Sequence, residues 1–92
     1  MSKSTLEWTI KEGALVRTFT FEDFIQATSF MMEIAIIAQL QRHHPYTIND
    51  YNKVEYRLWT TDAGNVITEK DYRLARTIDE AYVKYHLYNM TC

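Results

Sequence analysis

The segment from Phe21 to Gln41 contains neither glycine nor proline, and it constrains the fold more than any other part of the chain. It begins within Thr20-Phe21-Glu22-Asp23, a Ser/Thr-x-x-Asp/Glu pattern whose Thr hydroxyl can cap the first N–H groups of a helix. Between Phe30 and Ala38 the only charged residue is Glu33. We therefore predict a helix that is apolar on most of its sides. One side should pack on a sheet, and the rest on another helix of this chain or of another chain.

A second segment, Asn52 to Thr60, alternates apolar and charged side chains with the period of a β-strand. The apolar positions are Val54, Tyr56 and Leu58, and the charged positions are Lys53, Glu55 and Arg57. This pattern predicts a strand of an antiparallel sheet with one face in the core. Two interpretations of the charged row remain open: a solvated face of the sheet, or an edge where charges discourage unwanted pairing.

The N-terminal region predicts a β-hairpin. Leu6, Trp8 and Ile10 alternate with polar residues, as in a half-buried strand. Lys11-Glu12-Gly13 then supplies a turn, and Ala14 to Phe19 follows as the returning strand.

The second half of the chain predicts one more strand and a second helix. Tyr46 to Asp50 is typical of a short strand followed by a turn. Thr68-Glu69-Lys70-Asp71 repeats the helix-start pattern, and Leu74, Ile78 and Tyr85 follow at helical spacing. The order β-β-α-β-β-α predicts an α+β domain, in which two main helices pack on one face of a four-stranded antiparallel sheet.

Composition limits the classes of function. Ninety-two residues suffice for one small domain, residues 1–92, and a core of that size gains stability from oligomerisation. A formal charge of −2 does not give the basic surface of a nucleic-acid-binding protein, and no apolar run reaches the ~20 residues of a membrane span. Residues 1–5 show no apolar secretory signal, and a single cysteine, Cys92, suits a reducing compartment. We expect a cytoplasmic protein that binds neither nucleic acid nor membrane.

The tripeptide His43-His44-Pro45 lies just after the first predicted helix. Pro45 disfavours the helical conformation at His44, so the helix should end by His43. One interpretation of the pair is a polar helix end, where cations meet the negative end of the helix dipole. The other is acid–base chemistry, because the pKa of imidazole lies near neutrality. Zinc would need three or four ligands, and only His86 and Cys92 remain to complete such a set, so we predict no metal site.

Several motifs, in this order along the chain, resemble those of the pterin-4a-carbinolamine dehydratase family. They are Phe21-x-x-Phe24, Ala27, Phe30-Met31, Ala35, His43-His44-Pro45, Tyr51-Asn52-Lys53-Val54, Leu58, Asp62-Ala63-Gly64, Thr68-Glu69-Lys70-Asp71, Leu74-Ala75 and Ile78-Asp79. The resemblance covers the chain from Trp8 to about Tyr82. It implies dehydration of a 4a-hydroxytetrahydropterin to a quinonoid dihydropterin by histidine acid–base catalysis. The pterin is then the substrate, and neither a cofactor nor a metal is needed.

The resemblance also implies roles for individual residues. His43 would transfer protons, while His44 would bind or orient the pterin, with Pro45 and Thr61 beside it. Trp8 matches a family tryptophan that borders the pterin pocket, although core packing is an equal alternative. Asp71 matches a family aspartate near the pocket, and an acid at its position also caps a helix. We expect Trp8, His43, His44 and Asp71 to converge on one pocket.

Three positions depart from the family pattern. Thr61 stands where the family usually has a third histidine, and Gln39 where it often has a glutamate. Thr47 stands where an aromatic residue is common, with the adjacent Tyr46 as an alternative for that aromatic. A hydroxyl cannot act as a base near neutral pH, so the activity implied by the resemblance should be weakened. The alternative is a dehydratase-like scaffold that acts through protein contacts, as an assembly factor or a dimerisation cofactor. Family members assemble through helices and sheet edges, which implies a homodimer or a homotetramer here.

Overall fold

The computed structural model describes residues 7–90, with side chains up to residue 85, and its elements follow the predicted order. Leu6, Cys92 and the side chain of His86, named above, lie outside the described residues. Neither helix of the described part is long and apolar enough to cross a membrane. The elements are β1 (Thr9–Lys11), β2 (Ala14–Thr20), α1 (Phe24–Gln41), β3 (Tyr46–Asp50), β4 (Lys53–Leu58), a 3-10 helix (Thr61–Ala63) and α2 (Glu69–Met90).

The four strands form one antiparallel sheet in the order β1-β2-β4-β3, so β4 is a central strand. The edge interpretation of its charged row is therefore wrong, and the row lies on the outer face of the sheet. The opposite face of β4 is buried, and it packs with side chains of β2, α1 and α2 in one core. The predicted α+β architecture, with both helices on one face of the sheet, is confirmed.

Helix α1 begins later than the sequence pattern predicts. Thr20 pairs with Lys53 as the last residue of β2, so its hydroxyl is not the cap. Asp23 is the N-cap instead, and its Oδ1 accepts a hydrogen bond from the Gln26 N–H at 2.9 Å. The sheet pairing of Thr20 thus decides where the helix starts, which the local pattern alone does not reveal.

Helix α1 has one buried side and one exposed apolar side. Its buried residues are Ala27, Phe30, Ile34 and Ala38, whereas Ala35 is exposed. On the far side lies a row that we call the α1 stripe, whose members are each 58–79% exposed. It consists of Ile25, Met32, Ile36 and Leu40.

Helix α2 is fixed to the sheet by a buried carboxylate. Asp79 accepts hydrogen bonds from the Trp8 Nε1–H at 2.9 and 3.0 Å, and it pairs with the Arg17 guanidinium at 2.7 Å. Burial raises the pKa of Asp79, and the Trp8 N–H and the Arg17 charge oppose that rise. This cluster holds the middle of α2 in place over β2.

Candidate active site

The end of α1 directs His43 towards the start of α2. Arg42 adopts the left-handed conformation (φ 58°, ψ 39°), and its N–H is hydrogen-bonded to the last turn of the helix. The N–H of His43 donates to Ala38 O at 3.1 Å, as in a Schellman motif. The chain therefore leaves the helix axis abruptly, and Pro45 then begins the approach to β3.

Asp71 is fully buried in the first turn of α2, and it caps that helix. Its Oδ2 accepts a hydrogen bond from the Thr68 N–H at 2.8 Å, while Thr68 Oγ1 accepts one from the Lys70 N–H at 3.3 Å. Together these bonds cap the start of α2, as in a capping box in which the Thr68 hydroxyl bonds the second rather than the third helical N–H. The capping interpretation of Asp71 therefore holds, and the other oxygen of the same carboxylate contacts His43.

Asp71 Oδ1 lies 2.5 Å from His43 Nε2, and the two side chains are 0% and 12% exposed. Because a carboxylate only accepts hydrogen bonds, Nε2 carries the shared hydrogen. His43 Nδ1 has no hydrogen-bond partner within the described part of the chain. In neutral His43 this nitrogen holds a lone pair, so it is the atom able to accept a proton.

Thr60 completes this network, and the sequence analysis does not single it out. Its Oγ1 donates to Asp71 Oδ2 at 2.8 Å and lies 2.6 Å from Thr68 Oγ1. The sequence does contain a signal for Thr60, because it continues the inward-facing series Val54, Tyr56, Leu58. A polar residue at a buried strand position requires a hydrogen-bond partner.

His44 has a different environment from its neighbour. It is exposed, and its Nε2 lies 2.9 Å from Gln39 Oε1 on the last turn of α1. The amide oxygen accepts, so Nε2–H donates and Nδ1 is the acceptor in the neutral ring. Gln39 thus orients His44 by a hydrogen bond without supplying the charge of a glutamate.

Both histidines line a cavity of about 300 Å³, which we call the histidine cavity. Thr61 and Asp62 lie in its wall, and Arg42 and Lys70 add two cations. A neighbouring cavity of about 220 Å³ shares His44 and Thr61 with it and adds Pro45. The structure therefore brings together five predicted site residues, with Asp71 behind His43. They are His43, His44, Pro45, Thr61 and Asp71.

Trp8 does not line either of these cavities. Its N–H binds Asp79, eight residues or about 12 Å along α2 from Asp71, and its ring packs edge-on against Phe19 at 6.0 Å. These contacts favour the core-packing interpretation of Trp8. They do not support its predicted convergence with the histidine pair.

No group of three His, Cys, Asp or Glu side chains within the described residues is arranged to hold a metal ion. Besides the two histidines, the lining of the histidine cavity contains the hydroxyls of Thr60 and Thr61, two cations and one carboxylate, that of Asp62. This lining can form hydrogen bonds with a polar ligand and exchange protons with it.

Comparisons with known proteins identify relatives of this chain. A family model described as Pterin 4 alpha carbinolamine dehydratase matches residues 1–81. A curated relative from Prochlorococcus marinus is 47% identical over 79 residues, which cover 86% of this chain and 81% of the relative. One from Rhodospirillum rubrum is 45% identical over 75 residues, covering 79% and 77%. Both are named after pterin-4-alpha-carbinolamine dehydratase.

Two solved structures share the fold. The crystal structure of a transcriptional coactivator/pterin dehydratase from Brucella melitensis has a TM-score of 0.78 at 34% identity, covering 84% of this chain and 83% of that chain. The second has a TM-score of 0.66 at 20% identity, covering 82% and 86%, and shows likeness of fold alone. It is a pterin dehydratase-like protein identified as a RuBisCO assembly factor in the alpha-carboxysome.

Proposed function

The chain belongs to the pterin 4 alpha carbinolamine dehydratase family, and we propose that it dehydrates a 4a-hydroxytetrahydropterin. In this reaction the C4a–O bond breaks, the hydroxyl leaves as water after gaining a proton, and N5 loses its proton. The product is a quinonoid dihydropterin. The ring nitrogens stabilise the carbon that loses the hydroxyl, so the scheme needs no cofactor.

We assign to His43 Nδ1 the removal of the N5 proton. The Asp71 carboxylate at Nε2 fixes the ring orientation and stabilises the imidazolium that forms, as an aspartate does beside a catalytic histidine elsewhere. Thr60 and the Thr68 N–H hold that carboxylate from its other oxygen. A base positioned in this manner contributes about 10²–10⁴-fold to the rate.

His44 and Thr61 are assigned to binding. His44, oriented by Gln39, presents Nδ1 to the ring of the pterin, and the Thr61 hydroxyl, which also lines the histidine cavity, hydrogen-bonds the same ligand. Because Thr61 is no acid near neutral pH, the proton for the departing hydroxyl comes from water. Turnover should therefore be slower than in a relative with a third histidine.

One observation carries the proposal: a buried carboxylate holds one nitrogen of His43 at the wall of a cavity of about 300 Å³. A histidine that only ended a helix would not require a buried carboxylate at one of its ring nitrogens. The Asp71 side chain links this histidine to the start of α2, so its position is set by the fold itself.

The test is a dehydration assay that compares purified protein with the spontaneous reaction of a 4a-hydroxytetrahydropterin. We expect faster dehydration with wild-type protein and a rate near the spontaneous one with His43→Ala. Pterin binding should persist in that variant, because His44 and Thr61 are unchanged. If wild-type protein gives only the spontaneous rate, the proposed activity is wrong.

A second candidate function is a scaffold that acts through protein contacts. The exposed α1 stripe favours it, since apolar rows of this kind mark interaction surfaces. The RuBisCO assembly factor named above shares only the fold, so its role adds no argument for this chain. A protein that binds no pterin and is unaffected by His43→Ala would favour the scaffold.

A further inference from the structure

A groove continues from the histidine cavity onto the outer face of the sheet. The cavity of about 220 Å³ and a further one of about 390 Å³ share Tyr46, Arg57 and Trp59. Trp59 also lines the histidine cavity, so the three spaces lie side by side around the end of β4. Successive β4 side chains point to opposite faces. The two residues that follow β4 keep this alternation: Thr60 bonds Asp71 on the helix side, and Trp59 lines the groove together with Arg57.

Two aromatic rings form the floor of this groove. The Tyr46 and Trp59 ring centroids are 5.8 Å apart with an interplanar angle of 51°, and Tyr46 is 54% exposed. Among the described aromatic residues, neither ring pairs with any other. Each of these two neighbouring rings offers a flat face on which a planar group of a ligand can stack.

A positively charged group lies beside the rings. Glu55 holds the Arg57 Nε at 2.5 Å, and the terminal amino groups of Arg57 have no hydrogen-bond partner in the part of the chain that the structure describes. Lys11 also lines the larger cavity, in whose lining Glu12 is the only acid. The guanidinium is thus fixed in direction, with donors free for a carboxylate.

We infer that Tyr46, Trp59 and Arg57 form a second subsite, which binds an aromatic, carboxylate-bearing substituent on a pterin held at the histidine pair. The inference rests on the proposed function and names its substrate class. A pterin without such a substituent fills only the histidine cavity. In a pterin whose C6 substituent contains a benzoyl-type ring and ends in a carboxylate, that substituent extends past Trp59 to Arg57 and Lys11.

The test measures binding of two probes by calorimetry: 6-methyl-7,8-dihydropterin, which lacks the substituent, and 7,8-dihydrofolate, which carries it. We expect dihydrofolate to bind roughly tenfold more tightly, and Trp59→Thr or Arg57→Gln to remove most of that advantage. Trp59→Phe should retain it, because a phenyl ring still stacks. Lys53→Gln, on the same face of β4 but outside the groove, is the matched control and should change nothing.

A fragment separates this subsite from the proposed function. N-(4-aminobenzoyl)glutamate, added alone to wild-type protein, should quench Trp59 fluorescence, and Arg57→Gln should weaken its binding roughly tenfold. If both reduced pterins bind wild-type protein equally and the fragment does not bind, the subsite is wrong while the proposed function stands. If dihydrofolate binds no more tightly than the fragment alone and 6-methyl-7,8-dihydropterin does not bind, the proposed function fails and the subsite remains.

Discussion

At the scale of single residues, Asp71 joins the stability of the fold to the chemistry of the site. Its carboxylate accepts from the Thr68 N–H and from Thr60 Oγ1, and it holds His43 with its other oxygen. A buried charge is costly unless it is hydrogen-bonded, and here several partners satisfy it. The helix cap and the orientation of the proposed base therefore depend on one side chain.

Thr61 is the residue of the histidine cavity at which a change should raise turnover. Thr61→His places a group that can donate a proton near neutral pH in the wall of the histidine cavity, so turnover should rise roughly tenfold or more. Thr61→Asn is the matched control, because it is polar and of similar size but is neither an acid nor a base. A dehydration assay that finds both variants at the wild-type rate would assign the second proton transfer to another group, with Asp62 the first to test.

At the scale of elements, β4 organises the molecule because it is central in the sheet and its two faces have different functions. Its inner face contributes core residues and its outer face carries Arg57, while the next two residues, Trp59 and Thr60, line the groove and bond Asp71 respectively. One inner residue is poorly satisfied: the Tyr56 hydroxyl is buried and lacks a hydrogen-bond partner among the described residues. Burial also raises the pKa of Tyr56 well above its usual value.

Tyr56→Phe should therefore stabilise the protein by about 1 kcal/mol, because it removes an unpaired buried hydroxyl and leaves the ring packing intact. The advantage should grow at about pH 10.5, since the tyrosine ionises more readily in the unfolded chain than in the folded protein. Denaturant unfolding at neutral and at alkaline pH would measure both effects. Tyr51→Phe, at an exposed tyrosine, is the control, and a Tyr56→Phe protein less stable than wild type would contradict the account.

Element order and fold class could be predicted from periodicity, because apolar alternation in β4 and the uninterrupted run of α1 have few structural solutions. The start of α1 could not, because Thr20 and Asp23 both suit an N-cap, and the pairing of Thr20 with Lys53 decides between them. Such pairing joins strands that are distant in sequence, so a local helix-start pattern cannot reveal it.

The resemblance to the family identified His43, His44 and Asp71 as site residues. It did not reveal that His43 and Asp71 contact each other directly. The place of Trp8 depends on Asp79, a partner 71 residues away, which no local pattern reports.

At the scale of the whole molecule, the α1 stripe presents four large apolar side chains to the outside. We propose that this chain forms a homodimer or homotetramer in which copies bury their α1 stripes against each other. A small core and an unusually apolar α1 both favour such an assembly. Self-association would place a second active site on the same particle, because each copy carries its own histidine cavity.

Ile36→Glu should dissociate this assembly, because it would bury an unpaired charge in the centre of the contact. Sedimentation at micromolar concentration should then give a monomer for the variant and a dimer or tetramer for wild-type protein. Val83→Glu, at an exposed apolar residue of α2, is the matched control and should leave the assembly unchanged. A wild-type protein that sediments as a monomer would contradict the proposal.

The central claim is that His43 and Asp71 act as one unit in proton transfer, and a double-mutant cycle on dehydration tests it most directly. His43→Ala and Asp71→Asn should each lower turnover by roughly 10²–10⁴-fold. Because the carboxylate acts through the imidazole, the double variant should be no slower than His43→Ala alone. Asp50→Asn, at an exposed acid of β3, controls for the change of charge, and thermal unfolding confirms that each variant is folded. Losses that multiply in the double variant, or an Asp71→Asn protein that turns over at the wild-type rate, would contradict the account.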